Sequence, residues 1–214
     1  MISVFSAPDR ERLAIFLRLY VLLTLLFAAV YGGSNWISSV SGRGISLHFA
    51  WELGIPLVPQ AIVVYFSIAI LFWLPLFACD IDGLRALGRR LAIVTLVAGL
   101  IFVVLPVRTG FPRTPPQGAF HEAFSTLYGL DGAFNALPSL HITYSTLVFC
   151  ALARRVVSRR LRLVGGLWYV GICVSVLLVH QHHVADIVGG IALAWVSGLS
   201  RSRRRRPIRD SATP

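Results

Sequence analysis

The sequence predicts an all-α polytopic membrane protein, a bundle of six transmembrane helices. Three observations predict it. Hydrophobic residues fill 56% of the 214 positions and charged residues 14%, with a mean hydropathy of +0.74. A soluble domain of this length requires more polar surface. Apolar runs recur at lengths close to the roughly 20 residues that cross a hydrocarbon core about 30 Å thick. The basic residues are all arginine and cluster between those runs, as topology signals do.

Taken in order, the first expected span is Leu13–Tyr31. It follows "RERL" and contains "FAAVYGG", which also suits a secretory signal. Its run exceeds a signal core and no small-x-small site follows, so a retained span is expected. The stretch "GSNWISSVSGRGISLHFAWELG" mixes Trp36, Phe49 and Trp51 with polar residues and reads as interfacial. Ile55–Ala78 is the second span, with Pro56, Pro59 and Pro75 near its ends, and Leu91–Val107 is the third. The connection from Arg108 to Pro138 is rich in proline and glycine. It should be irregular and lie outside the hydrocarbon. Leu137–Ala153, shorter and more polar, is the fourth span; Leu161–Val179 and Val184–Leu199 complete the set. A single membrane-embedded domain over 1–200 is expected, with its core at about 91–200 and a basic cytoplasmic tail at 201–214.

The arginines orient the bundle. Arg10 and Arg12, then Arg85, Arg89 and Arg90, then Arg154, Arg155, Arg159, Arg160 and Arg162, then "RSRRRR" fall on one side. Arg43, Arg108 and Arg113 fall on the other. The positive-inside rule places both termini in the cytoplasm, in a plasma membrane or bacterial inner membrane. A sequence pI near 11.0 also fits nucleic acid. The arginines separate apolar runs rather than line a groove, so no nucleic-acid partner is expected and the tail is read as a contact for anionic headgroups. Cys79, Cys150 and Cys173 are odd in number and lie in or beside apolar runs. They read as inert thiols.

Two motifs stand at the outer start of helices. "NALPSLH" runs from Asn135 to His141, and "HHVAD" from His182 to Asp186. The hairpin between them crosses the membrane and returns, so His141 and His182 share a depth. His182 and Asp186 are four residues apart and share a helix face. A carboxylate there fixes one imidazole nitrogen and leaves the other as nucleophile or base. Ser139 is placed to cap a helix whose free N–H groups bind an anion, and Pro138 presets the first turn. Arg108 and Arg113 are the arginines of the long outer loop, and one or both could clamp phosphate. His183 points away from His182 and reads as a rim or structural residue. Asn135 holds the turn before Pro138 or touches the site. His48, His121 and Glu122 read as loop residues, and Gly189 and Gly190 as allowing close helix packing. His180, His182, His183 and Asp186 are metal-ligand types. They lack a well-spaced further ligand unless His141 or His121 joins them, so no metal and no cofactor is expected.

"PSLH" followed about forty residues later by H-x-x-x-D resembles the type 2 phosphatidic acid phosphatase superfamily. That group includes lipid phosphatases, vanadium haloperoxidases and lipid headgroup transferases. Its P-S-G-H motif maps to Pro138, Ser139, Leu140 and His141, and its S-R-x5-H-x3-D motif to Ser175, His182 and Asp186. The resemblance implies His182 as the nucleophile, Asp186 as its orienting partner and His141 as the general acid. The arginine of the third motif falls at Val176. Relatives with K-Q-H hold lysine where this chain has His180, which could then contact phosphate as an imidazolium. The K-x6-R-P motif is absent as such; "VRTGFPRTPP" is the nearest material.

The expected function is metal-independent transfer of phosphoryl from a membrane lipid phosphate or diphosphate to water, through a phosphohistidine. His182, His141 and Asp186 act in the chemistry; Ser139, Arg108, Arg113 and His180 bind phosphate. The alternatives are a headgroup phosphotransferase like the inositol-phosphorylceramide synthases, and a non-enzymatic transporter or assembly protein.

Overall fold

The computed structural model describes residues 6–199, so the basic tail expected at 201–214 lies outside the described residues. The chain is a membrane protein built mostly of helices. α1 spans Arg10–Val40 and is capped by Asp9, whose carboxylate accepts from Arg12 N at 2.7 Å. It continues well past Tyr31, through Gly32 and Gly33. Tertiary bonds hold the added turns: Ser38 Oγ donates to Phe102 O at 3.3 Å, and Asn135 Nδ2 donates to Ser34 Oγ at 3.2 Å.

The second expected span is two helices, α2 at Ala61–Phe66 and α3 at Ile68–Ala78. They meet at Ser67. Its hydroxyl donates to Val64 O at 2.6 Å and accepts from Trp168 Nε1 at 2.8 Å. Such a side chain competes with the helix ladder for its backbone groups. α4 covers Ile81–Val104, starting ten residues ahead of the expected Leu91, because Asp80 caps it through Gly83 N at 3.1 Å. Arg155, just past the end of the expected fourth span, pairs with Asp80 at 2.6 Å.

The connection expected to be irregular contains α5, His121–Leu130. Phe124 and Leu127 are buried on one face of it, and that burial stabilises a short helix that composition alone does not favour. His121 and Glu122 therefore open a helix. Two short parallel strands pair across the same end: β1, Ile45–Ser46, with β2, Val107–Arg108. α6 (Leu140–Ala153), α7 (Arg159–Leu178) and α8 (Val184–Leu199) follow close to the expected bounds.

Among the described residues, four segments are long and apolar enough to cross a membrane: α1, α2–α3, α4 and α7. α6 and α8 are shorter apolar helices of 14 and 16 residues. α6 is central and packs against α3, α4, α7 and α8. A side chain at Gly190 would place its Cβ 2.6 Å from Ser139 O, so glycine permits the α6–α8 approach. Thr143 Oγ1 lies 3.1 Å from Gly190 O at the same crossing.

Candidate active site

The site forms where α6 and α8 begin. Ser139 caps α6, its Oγ accepting from Ile142 N at 3.3 Å. Its own backbone N–H donates to Asp186 O at 3.1 Å, which locks the PSLH turn onto the first turn of α8. Asp186 Oδ2 accepts from His183 N at 2.8 Å, a carboxylate closing the start of its own helix. The same oxygen lies 3.4 Å from His182 Nδ1. Asp186 has no solvent exposure and His182 retains 8%.

His141 and His182 line one cavity of about 300 Å3, together with Asp131, Asn135, Tyr31 and Tyr65. The His141 ring stacks on Tyr65 at 4.2 Å. Among the described residues, buried Asn135 Oδ1, His141 Nε2 and His182 Nδ1 of the cavity-lining residues have no hydrogen-bond partner, nor has Asp186 Oδ1 behind His182. Buried polar atoms are rarely left so.

The remaining expected residues are placed differently. Ser139 is fully buried and is not part of the cavity wall. Arg113 donates to Asp131 O at 2.8 Å and to Tyr128 O at 3.2 Å, and its guanidinium lies over the Tyr128 ring. Its ion pair with Asp131, at 3.9 Å, connects it to the cavity wall. Arg108 is exposed and lies over Phe134 at 4.3 Å, away from that wall. His180 has its Nε2 2.9 Å from Ile55 O and its ring on Phe111 at 4.1 Å. The structure does not bring it to the cavity. Burial pushes its imidazole below the usual range, with the Ile55 carbonyl acting the other way.

His183 is fully buried between Glu52, 2.6 Å from its Nδ1, and Gly110, whose N–H donates to its Nε2 at 2.9 Å. Its ring lies between Phe111 and His48. Burial pushes this imidazole down, against the pull of Glu52 and Asp186. A nitrogen that accepts from an N–H carries no proton, so the geometry agrees with a neutral ring. Glu52 has no solvent exposure and also receives Val184 N at 3.4 Å. Sequence reasoning missed Glu52, Asp131, Tyr31 and Tyr65. A lone acid inside the aromatic stretch "FAWELG" was the available signal for Glu52. Asn135 Nδ2 donates to Tyr31 O at 2.8 Å, which ties the segment before Pro138 to α1, and the residue lines the cavity. Among the described residues, no three His, Cys, Asp or Glu side chains converge in a way that could hold a metal ion.

A model of the PAP2 superfamily matches residues 46–199. The chain belongs to that superfamily. The match begins ahead of Glu52 and includes α2–α8, so the segment that holds His183 through Glu52 is part of the family region. No curated protein matches the chain. Membership supports a phosphatase or phosphotransferase type of function directed at lipids.

Proposed function

We propose that the protein is a membrane lipid-phosphate phosphatase working through a phosphohistidine. One observation carries the reading. His141, in the first turn of α6, and His182, in the turn before α8, line one cavity; His141 Nε2 has no partner among the described residues, and a fully buried Asp186 carboxylate lies 3.4 Å from His182 Nδ1. In this reading Asp186 holds the Nδ1–H of His182, and Nε2 attacks phosphorus in line. As the N–P bond forms, the P–O bond to the lipid breaks and His141 gives its proton to the departing oxygen. Water then attacks the phosphohistidine with His141 as base, releasing phosphate and restoring the imidazole. The transition state spreads charge over the phosphoryl oxygens. Arg113 is the cation nearest in connection to the wall, and in this reading it turns from Asp131 to phosphate when substrate enters.

The same reading places six helices across the bilayer, with α6 and α8 as short spans. Both termini are cytoplasmic and the site is extracytoplasmic; the arginine clusters support this. The test is purified protein with phosphatidic acid or a prenyl diphosphate, in the presence of chelator. Release of phosphate or phosphate ester supports hydrolysis. Diester formation with an added alcohol points to the phosphotransferase, and neither product overturns the reading.

A further inference from the structure

The cavity that contains His141 and His182 does not end with them. It continues along α1 from Tyr31 to Phe16, about 22 Å at the helical rise, which is most of a ~30 Å hydrocarbon core. Its wall changes character along that length. Asp131, Asn135, His141 and His182 lie at the outer end. Past Thr24 on α1 and Phe72 on α3, the inner part is lined by Leu84, Leu87 and other apolar residues. The inner end is a packed floor, where Phe16 and Leu84 join Leu76 and Cys79 in one buried cluster. Phe16 and Tyr20 also meet Trp73 there, joining α1 to α3.

A cavity with a titratable head and a long apolar shaft fits an amphiphile of the same order. We propose that one hydrocarbon chain of the phosphate ester lies inside the bundle, between α1, α3, α4 and α6, with its end toward Phe16 and Leu84. The head end of this proposal rests on the phosphoryl-transfer reading of His182. A chain leaving the bilayer for this shaft gains little, because lipid is as apolar as the wall. The shaft acts instead by fixing depth and orientation, so that phosphorus meets His182. Chain length then matters, because the floor is closed.

Two measurements on the full chain test this. The first is photolabelling with hexadecylphosphonate carrying a diazirine at its far end, which cannot be turned over. Labels are expected on the segments around Phe16 and Leu84, and competed by unlabelled hexadecylphosphonate. Labels confined to bilayer-facing Leu25 and Trp195, or equal inner labelling by a diazirine alkane without phosphonate, overturn the proposal. The second compares hexadecyl and octyl phosphate as substrates for the parent and Thr24→Trp. Thr24 is exposed and lies midway along the shaft, so the bulk blocks the lower half without entering the packed core. A fall of about tenfold or more in kcat/KM for hexadecyl phosphate, with octyl phosphate unchanged, is expected. An equal change for both chains counts against the shaft. Inner labelling without turnover would leave the chain site standing and sink the phosphatase reading; turnover with outer labelling would do the reverse.

Discussion

His182 and His183 are neighbours in the chain and opposites in their surroundings. Both ring nitrogens of His183 are bonded, one to the Glu52 carboxylate and one to the Gly110 N–H, with no exposure to solvent. His182 lines the cavity, with Nδ1 3.4 Å from Asp186 and no hydrogen-bond partner. A histidine with two partners is a fastener. It joins the short helical turn at Ala50–Gly54 to the start of α8. A cavity-lining histidine with one nitrogen facing a carboxylate has its other nitrogen available for chemistry. One residue of offset at the start of a helix separates the two roles.

The sharpest way to break this contrast is to remove each ring. His182→Ala is expected to leave less than a few per cent of turnover with the melting temperature nearly unchanged. His183→Ala is expected to lower the melting temperature while the folded fraction keeps turnover. Assays on membranes with equal protein content, beside thermal melts in detergent, make the comparison. Equal losses of turnover by both variants at equal stability would erase it. His141→Asn comes next, with a loss of about 10^2 to 10^4 in rate, the usual range for a general acid. A loss below tenfold would remove His141 from the chemistry.

A third step addresses the fastener. Glu52→Ala leaves His183 Nδ1 without its acceptor in a fully buried place. The expected cost is about 1–3 kcal/mol, read as a lower melting temperature. Glu52→Gln keeps an acceptor and should recover most of it. Gly190→Ala tests the shared frame of both histidines. Its Cβ would meet the backbone at Ser139 O, so α8 must move, at about 1–3 kcal/mol. Ser139 N is bonded to Asp186 O, so turnover should fall with stability. Unchanged stability would show that the crossing relaxes freely.

What the sequence revealed follows the same contrast. The H-x3-D spacing and the PSLH turn were legible, because an i,i+4 pair and a helix cap are local facts. The helix bounds of α7 and α8 were legible from apolar runs. The continuation of α1 past Gly32 was not, since Phe102 and Asn135 hold it from far along the chain. α5 was hidden by the proline and glycine around it, and its support is the burial of Phe124 and Leu127. Glu52 and His183 lie 131 residues apart, and nothing in either neighbourhood names the other. His180 stands where relatives hold a cation, yet its ring turns to Ile55 and Phe111. Its positive φ of 59° sets the turn into α8, a backbone fact that the motif does not encode.

The smallest expected effect is on pH dependence, and it concerns His183 and His180 rather than the two cavity-lining histidines. Burial holds His183 and His180 below the ordinary imidazole range. The groups facing His183 are Glu52, Asp186, His48 and the Gly110 N–H; those facing His180 are Phe111 and the Ile55 carbonyl. A lowered folded-state pKa means the unfolded chain takes up more protons as pH falls below its reference of about 6.5. Their stabilising contribution is therefore complete above about pH 6.5 and declines as pH falls toward the lowered folded-state values. The melting temperature should be level from neutrality upward and slope down below that point. In His183→Gln the starting melting temperature is lower, and the acid slope is shallower because one titrating group is gone. The reading is the slope difference between parent and variant. A parent that grows more stable from pH 7 to pH 5.5, with the variant level, would show that His183 is held as an imidazolium against Glu52. The Gly110 N–H would then have to find another acceptor.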